Sequence, residues 1–281
     1  MGKSGALELP VPAGATQGAK ILSAHNLLYS LAGFLVGALV GMTGVGGGSL
    51  MTPLLVLLFG FHPATAVGTD LLTASVTKSV GTAMHGSRKT VNWHIVGSLA
   101  LGSVPASIAT MFVMGRIGIM GPHYALILNL LLGGALFLTS FAVFFRPWIL
   151  RWAGPRFRGL PVTRISLWTV TLGLILGVLV SITSVGAGAL GTTALLILYP
   201  KLPVSRIAGS DIAHAVPLTL IAGIGHWMMG TVDFTLMAAL LVGSIPGIIA
   251  GSLLGSRTSD AVLRPVLATT LLIVSVKLLT S

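Results

Sequence analysis

The sequence predicts an all-α fold: a polytopic transmembrane helical bundle of two inverted repeats, each with a Gly-broken short-helix pair plus three spanning helices. Three observations carry that expectation. The composition is apolar with very few charges, the apolar residues fall into span-like segments, and a register of matched residues links the two halves of the chain. Of 281 residues, 54% are hydrophobic and only 7% are charged, whereas soluble domains run near a quarter charged. So few charges cannot cover the surface of a soluble fold, while a bilayer accepts apolar surface. The 37 glycines fit membrane helices, where small residues let backbones approach closely. There is no cysteine, which excludes disulfides and thiolate metal sites.

Apolar segments fall at about Asn26–Met42, Ser49–Phe59, Asp70–His85, Trp93–Met114, Tyr124–Phe145, Ile165–Ile182, Ala189–Tyr199, Asp211–Met228, Phe234–Leu254 and Ala261–Leu279. A spanning helix needs about 20 mostly apolar residues. Ser49–Phe59 and Ala189–Tyr199 are too short to span alone, and each follows a glycine-rich break. Short, Gly-interrupted segments at corresponding places in two halves point to a transporter binding site. The expected organisation is a polar N-terminal tail over 1–25, repeat 1 over 26–146, a basic cytoplasmic loop over 147–164 and repeat 2 over 165–281. The tail lacks the basic-then-apolar pattern of a signal peptide.

The duplication rests on a register held at about 140 residues. Gly33-Phe34-Leu35-Val36-Gly37 matches Gly173-Leu174-Ile175-Leu176-Gly177, and Thr43-Gly44-Val45-Gly46-Gly47-Gly48 matches Thr183-Ser184-Val185-Gly186-Ala187-Gly188. After Pro63 and Pro203 the register lengthens by one residue. Gly68-Thr69-Asp70 then pairs with Gly209-Ser210-Asp211, His85 with His226, Thr90-Val91-Asn92-Trp93 with Thr231-Val232-Asp233-Phe234, and Gly102-Ser103-Val104-Pro105 with Gly243-Ser244-Ile245-Pro246. Charge orients the repeats. The middle connection holds Arg146, Arg151, Arg156, Arg158 and Arg164, which places it in the cytoplasm. Arg88 and Lys89 fall on the same side, but the mate of their turn, Met229–Asp233, carries one acid and no base. The repeats are therefore inverted, provided each Gly-broken pair crosses the membrane an even number of times. Lys201, Arg206 and Arg257 then lie inside and both termini outside. The net charge of +11 serves topology. With no basic face or aromatic-interleaved patch, the sequence gives no reason to expect a nucleic-acid partner.

Two Gly-rich breaks are the first candidate site. A run of glycines is a poor helix interior, and backbone freed inside a membrane must line a cavity or be buried in protein. The short helix after each break directs its N–H groups and positive dipole end at the break, which favours an anion. The candidate substrate-binding residues are Thr43, Gly44, Gly46, Gly47, Gly48 and Ser49 in the first break, and Thr183, Ser184, Gly186 and Gly188 in the second. Close helix packing is the plainer account of the glycines. Lys78 joins the candidates because an ionisable residue at mid-span is costly and its repeat mate is the neutral Thr219. Asp70, Lys78 and His85 share one helix face, with Lys78 offset by ~80° and His85 by ~60° from Asp70. Asp70, His85, Asp211, His214 and His226 are candidates for coupling or gating. Helix capping is the favoured account of the aspartates, which follow Gly-Thr and Gly-Ser at expected helix starts, with ion or proton coupling the other. Interfacial hydrogen bonding is the favoured account of His85 and His226, with titration near physiological pH the other. No His/Asp/Glu cluster has metal-site spacing, and no nucleotide loop, nucleophile elbow or catalytic acid pair occurs. The expectation is a non-enzyme without metal or cofactor.

At Gly44-Val45-Gly46-Gly47-Gly48-Ser49, Pro53 and Ala66-Val67-Gly68-Thr69-Asp70-Leu71, and again at Val185-Gly186-Ala187-Gly188 and Ala208-Gly209-Ser210-Asp211-Ile212, the chain resembles the sulfite exporter TauE/SafE family of permeases. The likeness runs from about Leu27 to Leu279. It implies a bacterial inner-membrane protein moving small sulfur-containing anions such as sulfite, thiosulfate or organosulfonates, with export as the direction. The second break departs from the first, with Ala187 and Ala189 in place of Gly and Ser. The resulting expectation is a secondary carrier in which two repeats rock about a midplane site, with a proton as the coupling ion. A passive anion channel, an uptake carrier and a subunit that hands substrate to a soluble partner are the alternatives.

Overall fold

The computed structural model describes residues 24–43, 50–117, 122–157, 159–254 and 260–280. The described residues form eleven helices: α1 (Ala24–Thr43), α2 (Met51–Leu57), α3 (Pro63–Ser87), α4 (Trp93–Ile117), α5 (Pro122–Phe144), α6 (Arg146–Phe157), α7 (Val162–Thr183), α8 (Ala189–Leu198), α9 (Val204–Met228), α10 (Phe234–Leu254) and α11 (Asp260–Thr280). Five of them, α4, α5, α7, α9 and α10, are long and apolar enough to cross a membrane. The chain is a polytopic helical membrane protein, as its composition predicts.

The helices pair across the duplication. α1 packs along α10 and α4 along α7, while α3 packs on α9 and α5 on α11. Exchanging the two halves reproduces the same pairs, so the bundle has a pseudo-twofold axis. That axis inverts the repeats, because equivalent helices run antiparallel. Gly68, near the start of α3, lies against His226 and Thr231 at the end of α9, while Gly209, near the start of α9, lies against Thr90 beyond the end of α3. The symmetry extends to single bonds. Asp233 N donates to Thr69 Oγ1 at 3.0 Å, and its mate Asn92 N donates to Ser210 Oγ at 2.8 Å.

Each Gly-broken pair returns to the face it came from. Thr169, early in α7, bonds the Tyr199 hydroxyl just after α8 at 2.9 Å. In repeat 1, Tyr29 of α1 packs edge-on against Phe59 and Phe61 beyond α2. α7 also stops short. Ser181, near its end, meets Ser107 of α4 at 2.8 Å, and α4 runs on to Ile117, about 15 Å further at 1.5 Å per residue. The helix terminates because Ser184 adopts a left-handed conformation (φ 58°) and caps it with N–H to Val180 O at 2.7 Å.

Two interleaved glycine stripes set very close contacts between α1 and α10, as Gly102 and Gly173 do between α4 and α7. Gly33, Gly37 and Gly41 of α1 face Gly243, Gly247 and Gly251 of α10, and a Cβ on any of them would overlap the partner's backbone. For these glycines close packing is the role. The connection expected as a basic loop contains α6, whose exposed Trp148 and Trp152 stack in parallel while Arg156 lies 3.8 Å over the Trp152 ring. Such Trp and Arg side chains suit the membrane–water boundary. The antiparallel arrangement puts the turn at 88–92 and the turn at 229–233 on opposite faces. Because the chain lacks cysteine, single cysteines at Lys89 and Met229 test this. They are expected to react with an impermeant maleimide from opposite sides of sealed vesicles, and labelling from one side would break the inversion.

Candidate functional site

Polar side chains meet where α2, α3, α7, α8 and α9 converge, and the centre of the cluster is a pair of buried aspartates. α3 and α9 begin at Pro63 and Val204, about two turns before Asp70 and Asp211. Neither aspartate therefore caps its own helix, as their Gly-Thr/Ser-Asp context would allow. Each faces the first turn of the short helix in its own repeat. Asp70 Oδ2 accepts from Thr52 Oγ1 at 2.6 Å, and Asp211 Oδ2 accepts from Thr192 Oγ1 at 3.0 Å. The start of each short helix, expected to be open to an anion, is thus faced by one of the chain's own carboxylates.

Asp70 gains a second donor across the axis, Ser184 Oγ at 2.9 Å. The mate of Ser184 is Gly44, which has no hydroxyl to give Asp211. Asp211 Oδ1 is fully buried without a hydrogen-bond partner. Lys78, only 7% exposed, donates Nζ to Ala187 O in the second break at 3.4 Å and is coupled electrostatically to both Asp70 and Asp211. A salt link with Asp70 alone would span two turns of α3; the fold instead brings Lys78 between carboxylates of both repeats. His214 Nε2 bonds Ser103 Oγ of α4 at 2.8 Å, and its Nδ1 is buried without a partner.

Beside Lys78 is a cavity of about 30 Å³ between α1, α2, α3 and α10, lined by Met51, Asp70, Thr73, Thr77, Ser244 and apolar residues of α1. A water molecule's share of liquid volume is about 30 Å³, so the space holds about one water. In repeat 2 the mate of Thr73 is His214 and that of Ser244 is Ser103, so the His214–Ser103 bond fills the equivalent place.

The other candidate residues lie elsewhere. His85 Nδ1 and His226 Nδ1 each bond the Thr Oγ1 of their following turn at 2.9 Å, and His226 Nε2 also donates to Ser181 O at 3.0 Å. Both histidines fasten helix ends to turns, away from Lys78. Gly186 and Gly188 take positive φ of 120° and 131°, conformations that favour glycine, and Gly188 O accepts from Thr192 N at 2.9 Å. Thr183 Oγ1 bonds Leu179 O at 2.7 Å within α7. Gly44, Gly46, Gly47, Gly48 and Ser49, and the side chain of Thr43, lie outside the described residues. Sequence reasoning missed Thr52, Thr73, Thr192, Ser103 and Ser244. The signal was present in two cases, since Thr52/Thr192 and Ser103/Ser244 are repeat mates that keep a hydroxyl in both halves.

A family model described as Sulfite exporter TauE/SafE matches residues 29–278. A probable membrane transporter protein of Bacillus subtilis, YjnA, is 39% identical over 250 residues, covering 89% of this chain and 98% of its own. A second from the same organism, YdhB, is 28% identical over 80% of this chain and 89% of its own. A probable membrane transporter protein of Xylella fastidiosa is 27% identical over 85% and 88%. No solved structure matches.

Proposed function

This chain belongs to the sulfite exporter TauE/SafE family, and from that membership and the geometry above we propose a secondary carrier for small sulfur-containing anions: sulfite, thiosulfate or an organosulfonate. That it is a multi-pass membrane transporter follows from the family and its named relatives. The observation that carries the finer reading is Lys78, a buried cation beside a polar-lined cavity in a bundle of inverted repeats. A cavity of about 30 Å³ is too small for a sulfur oxyanion, so binding requires the site to open, as alternating access provides. Lys78, Thr73, Thr77 and Ser244 then supply donors to the anion. The bodies that move are the tight pairs α1–α10 and α4–α7, each mixing the two repeats, rather than the repeats themselves.

Eight bases, Arg88, Lys89, Arg146, Arg151, Arg156, Arg164, Lys201 and Arg206, belong to one face by the helix directions above. That face is assigned to the cytoplasm of a bacterial inner membrane. Export follows the family's name, and a negative-inside potential drives an anion outward at about 2.3 kcal/mol per charge per 100 mV. The test is counterflow in proteoliposomes: internal sulfite is expected to stimulate uptake of labelled sulfite, with saturation. Large unsaturating conductance would make the protein a channel instead.

A further inference from the structure

We propose that the outward face of α6 binds anionic phospholipid of the cytoplasmic leaflet, with the lipid phosphate held by Arg151 and Arg156 and the indoles of Trp148 and Trp152 set at headgroup level. The site is separate from the one around Lys78 and does not depend on which anion is carried. The starting point is how α6 divides by face. At 100° per residue, Trp148, Arg151, Trp152, Pro155 and Arg156 fall within an arc of ~140°, and all five are exposed. Ile149, Leu150, Ala153, Gly154 and Phe157 occupy the other side and are buried or half-buried. That side is fixed to protein. Leu150 packs on the cluster of Ile95, Leu99, Leu195, Leu196 and Ile207, and the Phe157 ring meets Trp168 of α7 edge-on at 6.2 Å. α6 therefore rests on the inner ends of α4, α7 and α9, with its tryptophan–arginine face turned away from them.

Two costs decide what covers such a face. Water leaves two large indoles uncovered, with 61% and 59% of their surface exposed. Hydrocarbon leaves two guanidiniums without partners, which is expensive. The headgroup layer removes both costs, because tryptophan sits well there and phosphate oxygens accept paired hydrogen bonds from arginine. Charge then selects among lipids. α6 carries Arg146, Arg151 and Arg156 and no acid, so a phospholipid of net negative charge complements it. Arg156 is also held in place for such a ligand. Its guanidinium lies 3.8 Å over the Trp152 ring, and that ring stacks on Trp148 with their planes 2° apart. Stacking occupies the flat face of the guanidinium and leaves its N–H edge for a phosphate. The lipid reaches the transport core through α8. Leu195 and Leu196, in the cluster under α6, lie one turn after Thr192, whose hydroxyl bonds Asp211.

The experiment reads tryptophan fluorescence in bilayers. The chain has five tryptophans, and replacing Trp93, Trp168 and Trp227 by Phe leaves Trp148 and Trp152 as reporters. The protein is reconstituted in phosphatidylcholine containing a fixed fraction of phosphatidylglycerol or phosphatidylcholine that carries a quenching spin label close to the headgroup. The labelled anionic lipid is expected to win the exchange by about fivefold, the attraction of one basic residue near an anionic surface. Arg151→Gln combined with Arg156→Gln is expected to bring that preference to about one, while Arg116→Gln on the opposite face leaves it unchanged. Equal quenching by the two lipids overturns the proposal, as does a preference that survives the double substitution. Quenching by aqueous iodide but by neither lipid places the face in water, open to a soluble protein partner, and also overturns it. So does loss of the preference on adding inorganic phosphate at matched ionic strength, which makes the ligand a free anion. Should the substituted proteins fail to purify, wild type decides by native mass spectrometry: from an equal mixture it is expected to retain phosphatidylglycerol over phosphatidylcholine, and equal retention overturns the site. None of these outcomes touches the carrier reading.

Discussion

Lys78→Met is expected to weaken sulfite or thiosulfate binding about a hundredfold while the protein still inserts and purifies as a monodisperse species. Methionine keeps the length and apolar stem of lysine and removes only the charge, so packing around the small cavity is retained. Truncating one partner of a buried, hydrogen-bonded charge pair costs about 2–5 kcal/mol, and a hundredfold is about 3 kcal/mol. The loss is large here for a second reason. Lys78 faces both Asp70 and Asp211, so without it the site presents carboxylates alone to an arriving anion. The repeat mate shows that the fold tolerates a neutral residue at this position, since Thr219 folds its hydroxyl back onto Ala215 O at 2.8 Å. Calorimetry on the purified variant is the measurement, with thermal unfolding alongside it. Wild-type affinity in a folded Lys78→Met protein would remove this residue from the substrate site.

Membrane residence, the duplication and the inversion could be read from residues, because each has a local cause: apolar runs, a fixed register, and lysine and arginine gathered on alternate turns. The helix starts were misjudged where Pro63 and Val204 begin α3 and α9 well before the aspartates. Gly68-Thr69-Asp70 and Gly209-Ser210-Asp211 carry the residue types of a helix start, which hid the two turns that precede them. That displacement changed the meaning of the site. Asp70 and Asp211, taken as possible caps of their own helices, bond the first turns of α2 and α8 instead. No local pattern encodes such a contact, because it forms only when each break turns its short helix back on the bundle. The bond from Ser184 to Asp70 and that from His214 to Ser103 cross between repeats. Their only trace in the sequence is that the mates differ, Gly44 for Ser184 and Thr73 for His214. Such differences against the background of a well-kept register mark where the two repeats part, and Lys78 against Thr219 is the one instance legible in the sequence.

Gly243→Val is expected to disrupt folding, while Gly97→Val on a neighbouring helix class is expected to be tolerated. A Cβ at Gly243 would overlap Ser30 O and come within 2.7 Å of Phe34 N, both backbone atoms of α1 that cannot rotate aside. The helices would have to part along the whole glycine stripe, losing the Ser30 Oγ bond to Ala239 O at 2.8 Å. Overpacking in a tight interior costs about 1–3 kcal/mol when side chains can adjust, and a rigid backbone neighbour puts this case at about 3 kcal/mol or beyond. Gly97 of α4 has nothing within 4 Å of its hypothetical Cβ, so it controls for replacing glycine by valine in a membrane helix. Thermal unfolding in detergent and the yield of monodisperse protein are the readouts, and equal stability of the two variants would reject the stripe as the clamp between α1 and α10. The outcome also bears on motion. If α1 and α10 are held backbone to backbone, repeat 1 cannot rock as a unit against repeat 2, because its first helix is fixed to the other half. The cavity beside Lys78 lies between that clamped pair and α3. On the proposed carrier reading, opening then means the α1–α10 pair swinging from α3, with α4–α7 making the mirrored movement from α9 on the opposite stroke. A disulfide between cysteines placed across α1 and α10 beside the seam, at none of its glycines, should leave transport intact, whereas one between α1 and α3 should arrest it.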